Sequence, residues 1–382
     1  MAEVRLGITK LMDDAGRYLG RGNARVGIVA NYNAVDEEAT PIIRRLHGHP
    51  DIELSAIFSA EHGLWGCEQA GVTVGDLTDP YTGAKVYSLY GDTKKPTQEM
   101  LRSIDVLVFD GNDVGSRYWT YLSTMALCIE AAAEAGKPII VTDRPNPLGG
   151  VAVEGNVLEM EHRSFVGFMS IPIRHGMTLG ELARLFAEQS GIDVDLTVVA
   201  VDNWRRDMLF PATRHFWTAT PNMPDFETAL LYPGTCLFEG TNCSEGRGTT
   251  KPFRLIGAPW LDSVALADEL NTMGILGARF RPAHFRPAFS KHSGEECEGV
   301  EVYITDATHI QPVYLGLCML NAIRAQDPSR FEWIVPFIHH LAGSEQLTAW
   351  IDGGLAPGQI LHEWRPQLEQ FMEIRRRHLM YE

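Results

Sequence analysis

Residues 105–121, DVLVFDGNDVGSRYWTY, constrain the fold more than any other stretch, because a fully apolar run leads directly into a polar, aromatic loop. Positions 106–109 are all apolar, which predicts a strand buried on both faces of a parallel sheet. Asp110, Asp113 and Arg117 follow at the carboxyl end of this strand. Ligands of open α/β sheets bind at that edge. We therefore expect a binding site there.

Three further apolar runs end in polar residues in the same way. The predicted strands are 26–30, 54–58 and 139–141, followed by Asn31, by Glu61 and His62, and by Asp143, Arg144 and Asn146. If all four strands are parallel in one sheet, these polar ends converge on one crevice, although more than a hundred positions separate them in sequence. This convergence is the strongest argument from the residues for a functional site.

The order of the predicted elements indicates an α/β protein with a Rossmann-like, doubly wound parallel sheet. Helices are predicted at 8–19, at 37–46 with Pro41 in the first turn, at 119–135 before Gly136, and at 178–189 after the capping residue Thr178. Residues 204–259 lose regular periodicity, which favours a binding surface. We predict a Rossmann-like catalytic domain at 1–255 and a smaller α/β auxiliary domain at 256–382.

The composition argues against several classes of function. A formal net charge of −16 opposes binding to nucleic acids and anionic membranes, because both reward an excess of Lys and Arg. No apolar run approaches the ~20 residues of a membrane-spanning helix, and no signal peptide is recognisable. The six cysteines are scattered without a C-x-x-C pair, which is typical of reduced thiols. We expect a cytoplasmic protein with a small-molecule substrate, and the oligomeric state stays open.

Motifs for common cofactors do not occur in the sequence. Gly20 and Gly22 precede the first predicted strand, whereas a dinucleotide fingerprint follows that strand. Residues 240–246 exceed the P-loop spacing by one position, and Arg247 stands where a lysine is needed. There is no G-x-S-x-G elbow and no H-x-x-x-H pair. We expect no cofactor and no metal ion.

Carboxylates and aromatic rings recur at the predicted strand ends and in the irregular segment. The acids are Glu61, Asp110, Asp113, Asp143, Glu239 and Glu245, and the rings are Trp65, Tyr118, Trp119, Tyr121, Trp217 and Tyr232. Acids beside aromatic rings are typical of sugar sites, because the rings cover the apolar faces of a pyranose while a carboxylic acid protonates the leaving oxygen. The alternative is that the acids cap helices and the rings fill the core.

Three arginines in predicted loops, Arg117, Arg144 and Arg247, can each fork onto a ligand carboxylate. An anionic ligand would need such local positive charge in so acidic a protein. Solvation at the surface is the alternative for each of them.

Several long motifs occur in order between about residues 25 and 260: FSAEHGLWG, VYSLYG, IDVLVFDGNDVGSRYWTY, GKPIIVTDRPNPLGG, PIRHGMTLGELA, PNMP, ALLYPGTCLFEGTN and EGRGTTKPF. Through them the chain resembles the NamZ-like exo-β-N-acetylmuramidase family of bacteria, formerly catalogued as domain of unknown function 1343. The resemblance implies a Rossmann-like N-terminal domain, a smaller auxiliary domain and an active site in the cleft between them. It also implies exo-hydrolysis of β-1,4-linked N-acetylmuramic acid from the non-reducing ends of peptidoglycan fragments.

The family's E-H-G motif corresponds to residues 61–63 and makes Glu61 the best catalytic candidate. Asp110, Asp113 and Glu239 are candidates for a second acid, which the acetamido group of the substrate can also replace. The candidate substrate contacts are His62, Arg117, Tyr118, Arg144, Asn146, His175, Asn222, Asn242 and Arg247. We expect one of the three arginines to recognise the lactyl carboxylate that distinguishes muramic acid from glucosamine.

Two other classes of function stay open at this point. A non-catalytic sugar-binding protein would keep the aromatic rings and arginines but would need no acid. A cofactor-dependent oxidoreductase on the same sheet is the third class. Gly111, Cys67 and Cys243 also depart from what we expect of relatives, which leaves a shifted substrate open.

Overall fold

Twelve strands form three sheets in the computed structural model, which describes residues 3–20, 22–69, 71–73 and 75–382. In chain order the strands are β1 (Ala24–Val29), β2 (Ile52–Ser59), β3 (Leu77–Thr78), β4 (Lys85–Ser88), β5 (Val106–Phe109), β6 (Ile139–Thr142), β7 (Glu154–Val157), β8 (Pro172–Arg174), β9 (Leu196–Val199), β10 (Leu255–Ala258), β11 (Ala278–Phe285) and β12 (Cys297–Ile304). The largest sheet has the order β3-β4-β2-β1-β5-β6-β9, and its neighbouring strands are parallel except for β3 at the edge. The predicted α/β class with a doubly wound parallel sheet is confirmed.

Thirteen α-helices connect or cover these strands within the described residues. They are α1 (Gly7–Asp13), α2 (Ala15–Leu19), α3 (Ile42–His47), α4 (Gln98–Leu101), α5 (Thr120–Ala135), α6 (Leu179–Ser190), α7 (Phe210–Thr213), α8 (Phe226–Thr235), α9 (Ser263–Thr272), α10 (Pro312–Gln326), α11 (Phe337–Ala342), α12 (Gln346–Asp352) and α13 (Pro357–Arg376). No helix in this part of the chain is long and apolar enough to cross a membrane.

The central strand β5 is buried on both faces of the large sheet, as its apolar sequence predicts. Val106 and Val108 belong to a core cluster with the side chains of α1 and α3. Leu107 and Phe109 belong to a second cluster with those of α5 and α6. Alternate residues of a strand point to opposite faces, so helices must cover both sides of this sheet. The polar residues after the strand consequently emerge at the carboxyl edge.

The ends of two long helices follow the local sequence signals. Helix α6 begins with a capping box, in which the Thr178 hydroxyl accepts from the Glu181 amide and the Glu181 carboxylate accepts from the Thr178 amide. Gly136 ends α5 and Gly191 ends α6, both in the left-handed conformation that glycine adopts at low cost.

The helix predicted at 37–46 is wrong at its start, because α3 begins only at Ile42. Pro41 has an extended ψ of 128° and lies before the helix. Residues 36–40 instead form a turn in which the Asp36 carboxylate accepts from the amides of Glu38 at 2.9 Å and Thr40 at 2.8 Å. The aspartate side chain competes successfully with helical hydrogen bonds.

The segment predicted to be irregular, 204–259, contains regular elements. Helix α8 begins after Asp225, whose carboxylate accepts from the Thr228 amide at 2.7 Å, and a short 3₁₀ helix, Cys236–Gly240, continues from it. Pro233 and Gly234 lie inside α8 although both residues usually break helices. Packing explains this, because a Cβ atom at Gly234 would lie 1.8 Å from the carbonyl oxygen of Pro312 in α10. The close crossing of α8 and α10 requires glycine.

The second part of the molecule is built on a small antiparallel sheet of order β10-β12-β11. Helix α9 packs on β11 and β12, and α10 packs on α8 and α9. The pair β7-β8 forms a separate ribbon, against which α13 packs. The smaller second sheet agrees with the predicted fold class.

Candidate active site

A cavity of about 470 Å³ is lined by residues that follow β2, β4 and β5 and by residues of the segment 221–253. Phe289 and Phe337 complete its wall. Six of the predicted site residues line it: Glu61, His62, Tyr118, Asn222, Glu239 and Arg247. The structure therefore brings together residues that are up to 186 positions apart, from Glu61 to Arg247.

Glu61 is held by hydrogen bonds to both its backbone and its carboxylate. Its carbonyl accepts from Asn31 Nδ2 at 2.9 Å and from the Tyr121 hydroxyl at 3.3 Å. Its carboxylate accepts from the Thr120 hydroxyl at 2.5 Å and from the Gly71 amide at 3.2 Å. Thr120 is the first residue of α5, so the carboxylate also lies near the positive end of a helix dipole. The acid thus has a fixed orientation in the cavity wall.

His62 continues the turn after Glu61 in a left-handed conformation with φ of 75°. Its Nδ1 donates to the carbonyl of Glu68 at 2.7 Å, which assigns the proton of the neutral ring to Nδ1. Burial lowers the pKa of His62, although the charge of Glu61 opposes this shift. The neutral ring can therefore offer Nε2 as a hydrogen-bond acceptor in the cavity.

Glu239 and Arg247 form the charged wall of the cavity. Arg247 Nη2 is paired with Oε1 of Glu239, and Arg247 Nε lies 3.2 Å from the same oxygen. Arg247 Nε also lies 3.4 Å from Oε1 of Glu245. Lys291 Nζ neutralises Glu245 at 2.9 Å. Burial raises the pKa of Glu239, while Arg247 opposes this shift. Burial works against the charge of Arg247, but Glu239 raises the pKa of its guanidinium.

Aromatic rings form the apolar part of the wall. Tyr232 lies edge-on to Tyr118 with ring centroids 5.9 Å apart, and edge-on to Phe253 at 4.8 Å. The Tyr118 hydroxyl donates to the carbonyl of Pro233 at 3.3 Å, which ties the loop after β5 to α8. A cavity with two carboxylates, one guanidinium and several rings suits a charged sugar.

Asn222 lies at the rim of the same cavity in a left-handed conformation with φ of 68°. Its Nδ2 donates to Oε1 of Gln69 at 3.1 Å. Gln69 belongs to the segment between β2 and β3, of which Ala70 and Val74 lie outside the described residues. Arg21, between Gly20 and Gly22, also lies outside them.

Asp110 and Arg144 form a buried pair outside the lining of this cavity. Arg144 Nε and Nη2 donate to the two carboxylate oxygens of Asp110 at 3.0 and 2.6 Å. The Thr142 hydroxyl donates to Asp110 at 2.9 Å. Asp110 therefore fixes the guanidinium of Arg144, which lines a neighbouring pocket of about 60 Å³.

Asp113 lines the same small pocket and faces His175. Its Oδ2 lies 3.5 Å from His175 Nε2, and neither atom makes a hydrogen bond within the described part of the chain. Burial raises the pKa of Asp113 to about 7. Burial, together with the charge of Arg375, lowers the pKa of His175 to about 3. The pair is therefore a neutral imidazole beside a carboxyl that titrates near neutral pH.

Three other predicted residues make contacts within the protein instead of lining either pocket. Arg117 is fully buried and donates to the carbonyls of Asn156, Ile171, Leu341 and Ala342 at 2.8–3.0 Å. Asn146 Nδ2 donates to the carbonyl of Met177 at 2.8 Å. Asn242 Nδ2 donates to the carbonyl of Arg330 at 2.7 Å. Their expected roles in substrate binding stay predictions.

Several cavity residues were not predicted from the sequence. Tyr90 lies within the motif VYSLYG, which provided a signal for it, and Thr120 lies between Trp119 and Tyr121, two rings that the sequence analysis selected. Phe289 and Phe337 belong to the last third of the chain, where no motif was recognised. Among the described residues, no group of three or more His, Cys, Asp or Glu side chains is arranged to hold a metal ion.

Comparison with known proteins agrees with this arrangement. The family model "Exo-beta-N-acetylmuramidase NamZ, N-terminal" matches residues 26–227, and the corresponding C-terminal model matches residues 230–381. The chain is 46% identical to the peptidoglycan beta-N-acetylmuramidase NamZ of Bacillus subtilis (strain 168) over 381 residues, which cover 99% of this chain and 92% of that protein.

Two crystal structures share the fold. Both are DUF1343 family proteins of Bacteroides fragilis NCTC 9343. One is 32% identical with a TM-score of 0.89 and covers 100% of each chain. The other is 28% identical with a TM-score of 0.79 and covers 100% of this chain and 99% of the other. The chain therefore belongs to the NamZ exo-β-N-acetylmuramidase family, which is also named DUF1343.

Proposed function

We propose that this protein is a glycosidase that releases N-acetylmuramic acid from the non-reducing ends of peptidoglycan fragments. The observation that carries the proposal is the cavity in which the oriented carboxylate of Glu61 faces a wall made of Glu239, Arg247 and aromatic rings. Family membership and 46% identity to a peptidoglycan beta-N-acetylmuramidase support the same activity.

Glu61 is the proposed acid–base group of the reaction. Its hydrogen bonds to Thr120 and Gly71 hold the carboxylate in one orientation, as proton transfer to or from a glycosidic oxygen requires. Glu239 is the proposed second acid because it lines the same cavity, whereas Asp110 and Asp113 do not. Glu239 either assists the attacking group directly or orients the acetamido group of the substrate for that role.

Arg247 is the proposed recognition group for the lactyl carboxylate. Of the three candidate arginines it is the one whose side chain lines the cavity. Its Nη1 makes no hydrogen bond to any residue that the structure describes, so a donor is available for a ligand. A charge-assisted hydrogen bond from a partly desolvated guanidinium discriminates strongly between a muramide and a glucosaminide.

The remaining predicted residues have proposed supporting roles. Asp110 orients Arg144, Arg117 anchors the loop that presents Tyr118, and Asn146 ties the loop after β6 to Met177. We also propose a cytoplasmic location, which the six free cysteines support because thiols persist in a reducing compartment. Peptidoglycan fragments are the proposed small-molecule partners.

The activity is tested by incubating pure protein with a muramyl-glucosamine disaccharide and measuring the release of N-acetylmuramic acid. We expect turnover without any added cofactor. Binding of the disaccharide by calorimetry without turnover would instead favour the alternative, a non-catalytic sugar-binding protein.

A further inference from the structure

An open groove of about 650 Å³ adjoins the active-site cavity. Phe289 lines both the groove and the cavity, and Gly248 and Thr249 of the groove follow Arg247 of the cavity directly in sequence. The Gly248 carbonyl accepts from the Ala288 amide at 2.9 Å. A Cβ atom at Gly248 would lie 2.5 Å from the Phe289 carbonyl oxygen, so these two segments are in close contact where the groove and the cavity meet.

The groove has an excess of positive charge. Lys251, Arg281 and Arg286 line it, and among its described lining residues Glu301 is the one carboxylate. Glu301 is nearly buried, with 2% of its side chain exposed, whereas the side chains of Lys251 and Arg281 are 39% and 57% exposed. One buried negative charge therefore lies beneath two accessible positive charges.

The sheet of the second domain fixes this charge arrangement. Arg281 in β11 is directly opposite Glu301 in β12, and its Nη2 lies 2.6 Å from the carboxylate. Lys251 pairs with the other carboxylate oxygen from the loop before β10. Arg286 follows β11, and its Nη2 lies 3.6 Å from Glu296, whose side chain is 60% exposed. Such an exposed ion pair is weak, so a ligand carboxylate can replace Glu296 beside Arg286.

We propose that this groove, which we call the basic groove, binds a carboxylate of the leaving glycan beyond the terminal muramic acid. The proposal rests on the proposed function. An exo-acting enzyme encloses the terminal sugar, so the rest of the strand must leave the cavity. Muramic acid recurs at every second sugar of that strand and carries a carboxylate or, where a stem peptide is attached, the carboxylates of the peptide.

The charge of the whole protein favours a local basic groove for an anionic strand. With a formal net charge of −16, the average surface repels an anionic ligand. Local cations next to the cavity offset this repulsion for the part of the strand that follows the reacting sugar. A disaccharide, which ends after one leaving sugar, has no carboxylate that reaches the groove.

The experiment compares Arg281→Ala and Arg286→Ala with wild type on two substrates, the muramyl-glucosamine disaccharide and a peptide-free tetrasaccharide of two such units. We expect each variant to raise KM about tenfold for the tetrasaccharide. For the disaccharide, kcat and KM should both stay unchanged. Added salt should raise KM for the tetrasaccharide alone. Arg376→Ala is the matched control, because Arg376 is an ion-paired arginine on α13 whose side chain is 70% exposed, compared with 57% for Arg281 and 63% for Arg286.

A second tetrasaccharide with stem peptides identifies the source of the carboxylate. An effect of the variants on the peptide-free strand assigns the groove to the internal lactyl group, and an effect only on the peptide-bearing strand assigns it to the stem. Equal kinetics of wild type and both variants on both strands would refute the basic groove as a binding site.

Failure of the proposed function has a different signature. If wild-type protein hydrolyses neither substrate, the assigned activity is wrong, and the same variants are then compared by the affinity of tetrasaccharide binding. Weaker binding by about tenfold supports the groove, and unchanged binding refutes it.

Discussion

At the scale of single residues, Arg247 joins the charge network of the cavity to the proposed selectivity for muramic acid. Its Nε and Nη2 atoms are engaged by Glu239 and Glu245, so its position is fixed before substrate binds. An arginine anchored in this way loses little conformational entropy when it binds a ligand carboxylate.

Arg247→Lys should lower the preference for a muramide over the matching glucosaminide by about one to two decades, because a lysine ammonium keeps the charge but cannot hold Glu239 and Glu245 and still present the Nη1 donor to the ligand. The preference is measured as a ratio of kcat/KM values. Arg144→Lys and Arg117→Lys are controls, since neither side chain lines the cavity. The assignment fails if either control loses the preference while Arg247→Lys keeps it.

Asp113 makes a separate prediction about the pH dependence of stability. Burial raises its pKa to about 7 in the folded protein, whereas an unfolded aspartate titrates near pH 4. Between these values the folded state binds more protons, so this residue makes the free energy of unfolding fall as pH rises, by up to about 4 kcal/mol.

Asp113→Asn should therefore stabilise the protein more at pH 8 than at pH 4, as measured by urea unfolding at both values. Asp268→Asn is the control for the substitution itself, because Asp268 is exposed on α9. Parallel curves for wild type and Asp113→Asn would show that Asp113 ionises normally.

At the scale of secondary-structure elements, the sequence predicts those whose signals are local. The strands β1, β2, β5 and β6 contain apolar runs, helix α6 begins with a capping box, and helices α5 and α6 both end at a glycine. Helix α8 escapes prediction because Pro233 and Gly234 resemble a break, and its stability comes from packing on α10, which is distant in sequence. Tertiary contacts of this kind leave no local signal.

Gly316→Ala tests the α8–α10 crossing. A Cβ atom there would lie 2.5 Å from the Gly234 carbonyl oxygen, so the helices must separate, at a cost of about 1–3 kcal/mol in the free energy of unfolding. Gly358→Ala in α13 is the control, because a Cβ atom there meets no atom within 4 Å. Equal unfolding midpoints for the two variants would mean that the crossing tolerates the extra atom.

At the scale of the whole molecule, the site combines residues that the sequence predicts with different success. Two signals indicate Glu61 and His62: both residues follow an apolar strand of the parallel sheet, and both belong to the E-H-G motif. The first signal also selects Asp110 and Arg144, which the structure pairs with each other outside the cavity. Position at the carboxyl edge does not determine which pocket a side chain enters.

The contribution of the second half of the chain could not be predicted from strand order. Glu239 and Arg247 reach the cavity through α8 and the turn after it, and Phe337 reaches it from α11. We retain the division at residue 255 as a proposal. The segment before it supplies both acids, and β10, which begins at Leu255, belongs to the smaller sheet.

The central claim is that Glu61 performs acid–base catalysis on a muramic-acid glycoside, and kcat of Glu61→Gln on the muramyl-glucosamine disaccharide tests it most directly. Glutamine keeps the size of the side chain. Its one amide oxygen can accept from the Gly71 amide while its NH2 group donates to the Thr120 hydroxyl, but it cannot exchange a proton with the glycosidic oxygen. The account predicts a loss of at least about two decades in kcat, with an unchanged unfolding midpoint and retained substrate binding. A folded variant with turnover close to that of wild type would contradict it.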